Sequence, residues 1–364
     1  MHRTHDALDV IVIGAGQAGL ATAYHLRRRG LRFLVVDAAH ELGGSWRTRW
    51  DSLRLFTPAQ YDGLPGMPFP APADTHPTKD QVADYLTAYA ARFELPVLLD
   101  CWVRRLERVD SRYLVHTSQG TLTAHQVVVA TGPFQTPVVP GLASGLGTDV
   151  VQLHSASYRN PAQVPAGPVV VVGAGNSGRQ IALELAATHP VTLAVGTQSL
   201  ELPQRLLGRD LFWWLTRFGV ITKTADSFLA RRMRARGDLV IGTRLTQLRQ
   251  AGVTIRPRVR STTPDAVVFE VGSVRRPAAV VWATGFRPDH SWIDVPGVIA
   301  DGQVVHDRGR TQAPGLFFIG LPWLHTRGSA LLGFVGHDAE WLTTHLTAHT
   351  RRGGRQCTSG GSGR

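Results

Sequence analysis

The chain has 364 residues, a formal net charge of +12 at pH 7, 43% hydrophobic and 18% charged residues. That length accommodates two domains, each able to bury its own core, and the lack of any apolar run of about 18 residues excludes a transmembrane helix. All but Lys79 and Lys223 of the 39 basic residues are arginine, which indicates a compositional bias, and no nucleic-acid-binding motif accompanies the clusters Arg27-Arg28-Arg29 and Arg231 to Arg236.

Met1 to Asp6 passes directly into a strand pattern, so no leader is expected and the expected compartment is the cytoplasm. Leu8 to Ile13 reads as a strand, with the apolar run Val10-Ile11-Val12-Ile13. It meets Gly14-Ala15-Gly16-Gln17-Ala18-Gly19, and a helical pattern from Leu20 to Arg29 follows. A second strand, Leu31 to Val36, ends at Asp37. A GxGxxG is specific when a strand precedes it and a helix follows. The glycines permit a tight turn, close approach to a pyrophosphate and close helix–strand packing, and the acid suits a ribose hydroxyl pair. Residues 43–77 form a Pro- and Gly-rich loop that starts Gly43-Gly44-Ser45-Trp46. Such long loops in a domain tend to be functional. A helix is predicted from Thr78, its N-cap, to Arg92. Short strands fill 97–129, closing in Val127-Val128-Val129-Ala130-Thr131-Gly132.

After a Pro/Gly-rich connector the pattern returns. Val169 to Val172 precedes Gly173-Ala174-Gly175-Asn176-Ser177-Gly178, a helix over Arg179 to Ala187 follows, and Val280-Val281-Trp282-Ala283-Thr284-Gly285 closes the unit. The fingerprints lie 173 − 14 = 159 residues apart and the closing triplets 285 − 132 = 153 apart. One Rossmann-like unit therefore occurs twice. Two dinucleotide sites in one chain suggest electron traffic between a nicotinamide and a flavin. Leu316 to Gly320 reads as a buried strand and Asp338 to His349 as a helix. The expected fold is α/β, with the second Rossmann-like unit (151–285) inserted into the first (7–150 and 286–350) and a disordered tail (351–364). Cys101 and Cys357 are the only cysteines and form no CxxC. This excludes a disulfide framework, a zinc site on cysteine pairs and the neighbouring thiols a disulfide reductase needs. No HExxH or similar cluster suggests a metal.

These motifs, with His154-Ser155-Ala156-Ser157-Tyr158-Arg159, Leu202 to Gly208 and Gly315 to Gly320, resemble the flavin-containing monooxygenase family (class B flavoprotein monooxygenases), and within it the short bacterial CzcO-like members. The resemblance covers residues 8–350. It implies tightly held FAD at Gly14, Gly16, Gln17, Ala18, Gly19 and Asp37, with Ser45, Trp46, Thr57, Gln60, Val103, Thr131 and Gly132 around it. It implies NADPH, or NADH, at Gly173, Gly175, Asn176, Ser177, Gly178 and Gly285. The implied reaction consumes O₂ and inserts one oxygen atom into a small organic substrate (an amine, a thioether, a ketone or a keto acid) through a flavin C4a-(hydro)peroxide. The competing readings are a flavin reductase or oxidase and a non-catalytic flavin sensor. A small molecule and O₂ are the expected partners, without nucleic acid or stable membrane insertion, and a homodimer is left open.

Three departures from the family pattern stand out. Thr148 and Val150 replace the Phe and Gly of the linker that leads to His154. Thr57 and Gln60 occupy the region where many members carry an asparagine. Gly196-Thr197 follows the strand Val191 to Val195 where NADPH-preferring relatives often have an arginine, which leaves Arg205 and Arg209 as substitute phosphate partners. His154 reads as a domain-coupling residue before an acid–base group. Trp213 and Trp214 read first as helix core, with a substrate pocket or a membrane surface as alternatives. His325, Arg327 and His337 are either substrate contacts or loop polar groups.

Overall fold

The computed structural model describes residues 7–197, 200–235 and 239–355. Strand β1 (Leu8–Ile13), helix α1 (Gln17–Arg28) and strand β2 (Phe33–Val36) open the chain. Val10, Ile11 and Val12 are fully buried. Both faces of this parallel strand are covered, and an unbroken β-branched run suits that setting. A one-turn helix α2 (Gly44–Arg47) and α3 (Lys79–Arg92) follow. The Thr78 side chain accepts from the Gln81 N–H, and the Gln81 side chain accepts from the Thr78 N–H, a reciprocal cap that starts α3.

Strands β3 (Val97–Leu98), β4 (Val103–Val109), β5 (Arg112–Thr117) and β6 (Gly120–Val129) complete the first unit's own share of its sheet. One edge of β6 pairs parallel with β1. Along its other edge, the first half pairs antiparallel with β5 and the second half parallel with Leu316–Phe318 from the C-terminal segment. Leu20, Leu86 and Leu342 pack with Val10 and Val12 on one face, and Tyr113, Val115 and Val298 pack with Ile11 and Ile13 on the other.

Two antiparallel linkers lead to the second unit: β7 (Thr136–Pro137) runs out and Phe286–Arg287 runs back beside it. Between them lie β8 (Val151–His154), β9 (Val169–Val172), α4 (Asn176–Leu185), β10 (Val191–Ala194), α5 (Leu211–Arg217), α6 (Phe228–Ala235) and α7 (Leu245–Gln250). The sheet is wholly parallel, ordered Thr254–Arg256, β10, β9, Ala279–Trp282, β8. Ile181, Leu185 and Leu248 cover one face; Val259, Val267 and Phe269 of an antiparallel ribbon cover the other. The protein is thus two Rossmann-like units, one inserted into the other.

Several details differ from the sequence reading. Helices α1 and α4 begin inside the fingerprints, whose last three residues form the first helical turn. The final helix runs from Val335 to Arg355, so the expected tail is helical at its start. Residues 356–364, including Cys357, lie outside the described residues, as do Met1 to Asp6 and Arg236. The core positions on α5 belong to Leu211 and Phe212, whereas Trp213 and Trp214 are only partly buried, because helical spacing puts the tryptophans on the outer side.

Candidate nucleotide sites

Each fingerprint makes the same turn. Gly14 and Gly173 have φ of +106° and +109°, a region that strains any side chain. A Cβ on Gly14 would lie 2.7 Å from the Ala130 carbonyl oxygen, and one on Gly173 2.3 Å from that of Ala283. The alanine of each closing triplet therefore backs onto the first glycine of its own unit. A Cβ on Gly19 would come within 1.8 Å of the Gly14 oxygen, and on Gly178 within 1.9 Å of the Gly173 oxygen. The middle glycines behave differently. A Cβ on Gly16 or Gly175 would meet no protein atom within 4 Å. Both glycines are extended N-caps, and neither α1 nor α4 has a capping side chain or an acidic residue in its first turn. Two helix starts thus leave N–H donors and a positive dipole end facing open space, which fits a pyrophosphate at each. Gln17, Ala18 and Gly19 form the first of these turns; Asn176, Ser177 and Gly178 form the second.

The first turn is braced from several sides. The Asp37 carboxylate accepts from the N–H groups of Ala15 at 2.5 Å and Ala39 at 2.8 Å. The Asp37 backbone bonds Leu98 and Cys101, two residues short of half-buried Val103. The Trp46 indole donates to the Gln17 amide oxygen at 3.4 Å, and the Gln17 amide donates to the Ala330 carbonyl at 3.3 Å. The start of α1, the Gly43–Trp46 turn and a C-terminal loop therefore meet at one side chain, with Ser45 exposed on α2. Gln135 donates to the Thr131 hydroxyl at 2.6 Å and the Gly132 carbonyl at 3.0 Å, and accepts from the Asp289 N–H at 2.7 Å.

Thr57 is buried and donates to the Asp62 carboxyl at 2.5 Å. Asp62 is fully buried, and its Oδ2 has no hydrogen-bond partner among the described residues. Burial pushes this carboxyl up to about 7, against the pull of the Thr57 hydroxyl. Gln60 is exposed and donates to Asp74 of its own loop, so the structure does not bring it to Thr57 and Asp62.

The second turn is bound to the segment between β10 and α7. The Asn176 amide donates to the Leu239 carbonyl and accepts from the Ile241 N–H, both at 3.0 Å. Buried Arg179 donates to the carbonyls of Ala174 at 2.8 Å and Thr243 at 3.2 Å and pairs with Glu201 at 2.7 Å. Ser177 is half-buried. The Gly285 carbonyl bonds the Val138 N–H and His154 Nε2, each at 3.0 Å, while His154 Nδ1 accepts from the Ala156 N–H at 3.1 Å. Burial holds this imidazole below its ordinary pKa. His154 is therefore a neutral tie between β8 and the returning linker. Arg258 donates to the Gly196 carbonyl at 3.2 Å, and a Cβ on Gly196 would lie 3.6 Å from Arg258 Nε. A guanidinium from the neighbouring strand's exit thus stands beside the position that lacks an arginine. Arg205 and Arg209 are instead held in a hairpin, Arg205 on the Gly208 carbonyl and Arg209 over the Trp213 ring.

Arg327 lies over Trp323 and, with Phe212, Leu215, Ile221, Ile241 and Leu331, lines an apolar void of about 10 Å³. His325 is held below its ordinary pKa by burial. His337 lies on the final helix. Among the described residues no group of three or more His, Cys, Asp or Glu could hold a metal, and Cys101 is buried and unpaired.

The profile of the pyridine nucleotide-disulphide oxidoreductase family matches residues 11–206. An uncharacterized CzcO-like oxidoreductase of Geobacillus kaustophilus (strain HTA426) is 43% identical over 344 residues, which cover 94% of this chain and 99% of the relative. A flavin-containing monooxygenase from Stenotrophomonas maltophilia superposes with a TM-score of 0.79 at 32% identity, over 95% of this chain and 99% of its own. The chain belongs to the flavin-containing monooxygenase family. It is a flavin-dependent monooxygenase. A probable indole-3-pyruvate monooxygenase of Arabidopsis thaliana is 28% identical over 84% of this chain and 80% of its own length.

In this monooxygenase, four residues that brace the two candidate sites escaped the sequence reading. Arg179 follows Gly175 by one helical turn, and its place among buried Gly178, Ile181 and Ala182 was a usable signal. Asp62, Gln135 and Arg258 had none, because their partners are set by loop conformation or by an adjacent strand.

Proposed function

We propose that FAD occupies the first cradle and NADPH the second, and that the enzyme oxygenates a small organic substrate at nitrogen, sulfur or a carbonyl carbon. The observation that carries this reading is the pair of open, uncapped helix starts, each with a middle glycine whose Cβ would meet no protein atom. Gly14, Gly16, Gly19 and Asp37 would hold the adenosine and pyrophosphate of FAD. Trp46, Thr131 and Gly132 would flank its ring end, with Gln17 and Gln135 positioning them. Gly173, Gly175, Ser177, Gly178 and Gly285 would hold NADPH, while Asn176 and Arg179 fix the segment that closes over it. Arg258 would meet the ribose 2′-phosphate, since recognition there falls to the end of the second strand of a Rossmann unit.

When bound, FAD takes reducing equivalents from NADPH and delivers them to O₂. The chain's own contribution is orientation and exclusion of water. Buried Thr57, held by Asp62, takes the region the family gives to an asparagine. The test is NADPH consumption by the holoenzyme with labelled O₂ and a panel of amine, thioether, ketone and keto-acid substrates. One labelled atom per product molecule is expected. Full recovery of the electrons as hydrogen peroxide, with every substrate unlabelled, would overturn the reading.

A further inference from the structure

We propose that the segment 200–235 docks this enzyme peripherally on an anionic lipid surface. The first five residues of α5, Leu211 to Leu215, are all apolar, and only Thr216 and Arg217 at its end are polar. Leu211 and Phe212 face inward and pack with Ile221, Leu239 and Ile241. The outer side carries Trp213 and Trp214 and runs on to Phe218, which is 65% exposed. A helix with apolar residues on every side belongs in a core or against another apolar phase. Contacts join the outer residues into one patch. The Trp214 indole donates to the Leu206 carbonyl at 2.9 Å and stacks on Phe218 with centroids 5.9 Å apart. Leu206 and Leu207 form the end of the hairpin that pairs Arg205–Leu206 with Arg209–Asp210, and Leu207 is 82% exposed.

Charge selects the occupant. Arg205, Arg209 and Arg217 flank these residues in sequence, and Lys223, Arg231 and Arg232 follow; all six are exposed, and none forms a salt bridge among the described residues. Of the acids in the segment, Asp210 is buried and caps α5, Glu201 pairs with Arg179, and Asp226 is exposed. A symmetric contact with a second copy would set these cations against the same cations. Nucleic acid would engage the arginines and leave the leucine tip in water. An interface of acidic headgroups over acyl chains accepts both features. No helix among the described residues is long and apolar enough to cross a membrane, so the contact is one of surface docking.

The experiment is co-sedimentation of the full-length holoprotein with vesicles of phosphatidylcholine alone or with about one-third phosphatidylglycerol. Pelleting with the acidic vesicles only is expected. Each cation near such a surface contributes about fivefold in affinity, so the triple variant R205A/R209A/R217A should bind on the order of a hundredfold more weakly. Leu207→Glu, at an exposed tip, should remove the binding that survives raised salt. Both variants should keep the wild-type melting temperature and FAD content. The proposal is overturned if wild type ignores acidic vesicles, if both variants bind as wild type does, or if a short DNA duplex binds more tightly than the vesicles. It is equally overturned if the variants turn a dimer into a monomer and leave vesicle binding unchanged.

Discussion

Replacing Gly16 with valine should empty the flavin site and leave the fold intact. At this N-cap φ is −74°, so valine meets no backbone strain, and its Cβ would have no protein neighbour within 4 Å. The effect on stability should stay within about 1 kcal/mol, since a lost N-cap preference is offset by a stiffer unfolded chain. The effect on binding should be far larger, because the side chain fills the space in front of the α1 donors. Each hydrogen bond to a charged group is worth about 1.5–3 kcal/mol. Losing two weakens FAD by about 3–6 kcal/mol, on the order of 10²- to 10⁴-fold. Gly19→Ala is the control with the opposite signature. Its Cβ would sit 1.8 Å from the Gly14 oxygen, so the protein should lose several kcal/mol of stability whether or not flavin is present. The assay is flavin content by absorbance beside a thermal melt of each apoprotein. Stoichiometric FAD in Gly16→Val, or equal melting losses in the two variants, would refute the cradle as the phosphate site.

Gly175→Val should keep FAD and lose NADPH binding, seen as a yellow protein whose flavin NADPH no longer bleaches under anaerobic conditions; loss of FAD instead would mean the sites are reversed. Arg258→Ala should raise the KM for NADPH on the order of tenfold or more and leave that for NADH alone, and equal shifts for both would remove Arg258 from phosphate recognition. Asp62→Asn should alter the pH dependence of stability. The wild-type carboxyl sits at about 7 in the fold against 3.8 unfolded, so wild-type stability falls as pH rises between these values while the amide's does not. Relative to wild type, the variant should gain about 2–3 kcal/mol between pH 5 and pH 8; a constant difference in urea midpoints across that range would sink the assignment.

The fold was legible because its signals are local. Unbroken β-branched runs, glycine triplets and the cap at Thr78 each act within a few residues, and repetition of the whole unit turned weak motifs into a specific one. The insertion was read from the order of the motifs, with the C-terminal segment most simply returning to the first unit, and Leu316–Phe318 does return, beside β6. The sites were legible only in outline. Asp37 could be named because it ends a strand at fixed spacing from the turn. Arg258 could not, because it reaches Gly196 across parallel strands 62 residues apart in sequence. Gln60, placed with Thr57 by the resemblance alone, lies on the turn Ala59–Tyr61 and is exposed, so sequence neighbours need not share a face.

Two nearly identical turns must still do different work, since a resident flavin should stay while a nicotinamide comes and goes. The backbone does not separate them: the φ values of the first glycines agree within a few degrees, and both middle glycines face open space. The first helical residue does. Gln17 ties its turn to Trp46 and to Ala330, segments that belong to the same domain and pack on its core. Asn176 ties its turn to Leu239 and Ile241, in a segment that packs in a small apolar cluster of its own with Leu211, Phe212 and Ile221, apart from the main core. Such a cover can open at a fraction of the cost of disrupting a core. On this reading the chain holds one nucleotide and exchanges the other because different structures close over the same cradle. The exchange of Gln17 and Asn176 between the two turns would test it: faster FAD loss with slower NADP⁺ release is the expected pair of changes, and unchanged rates for both would place the difference elsewhere.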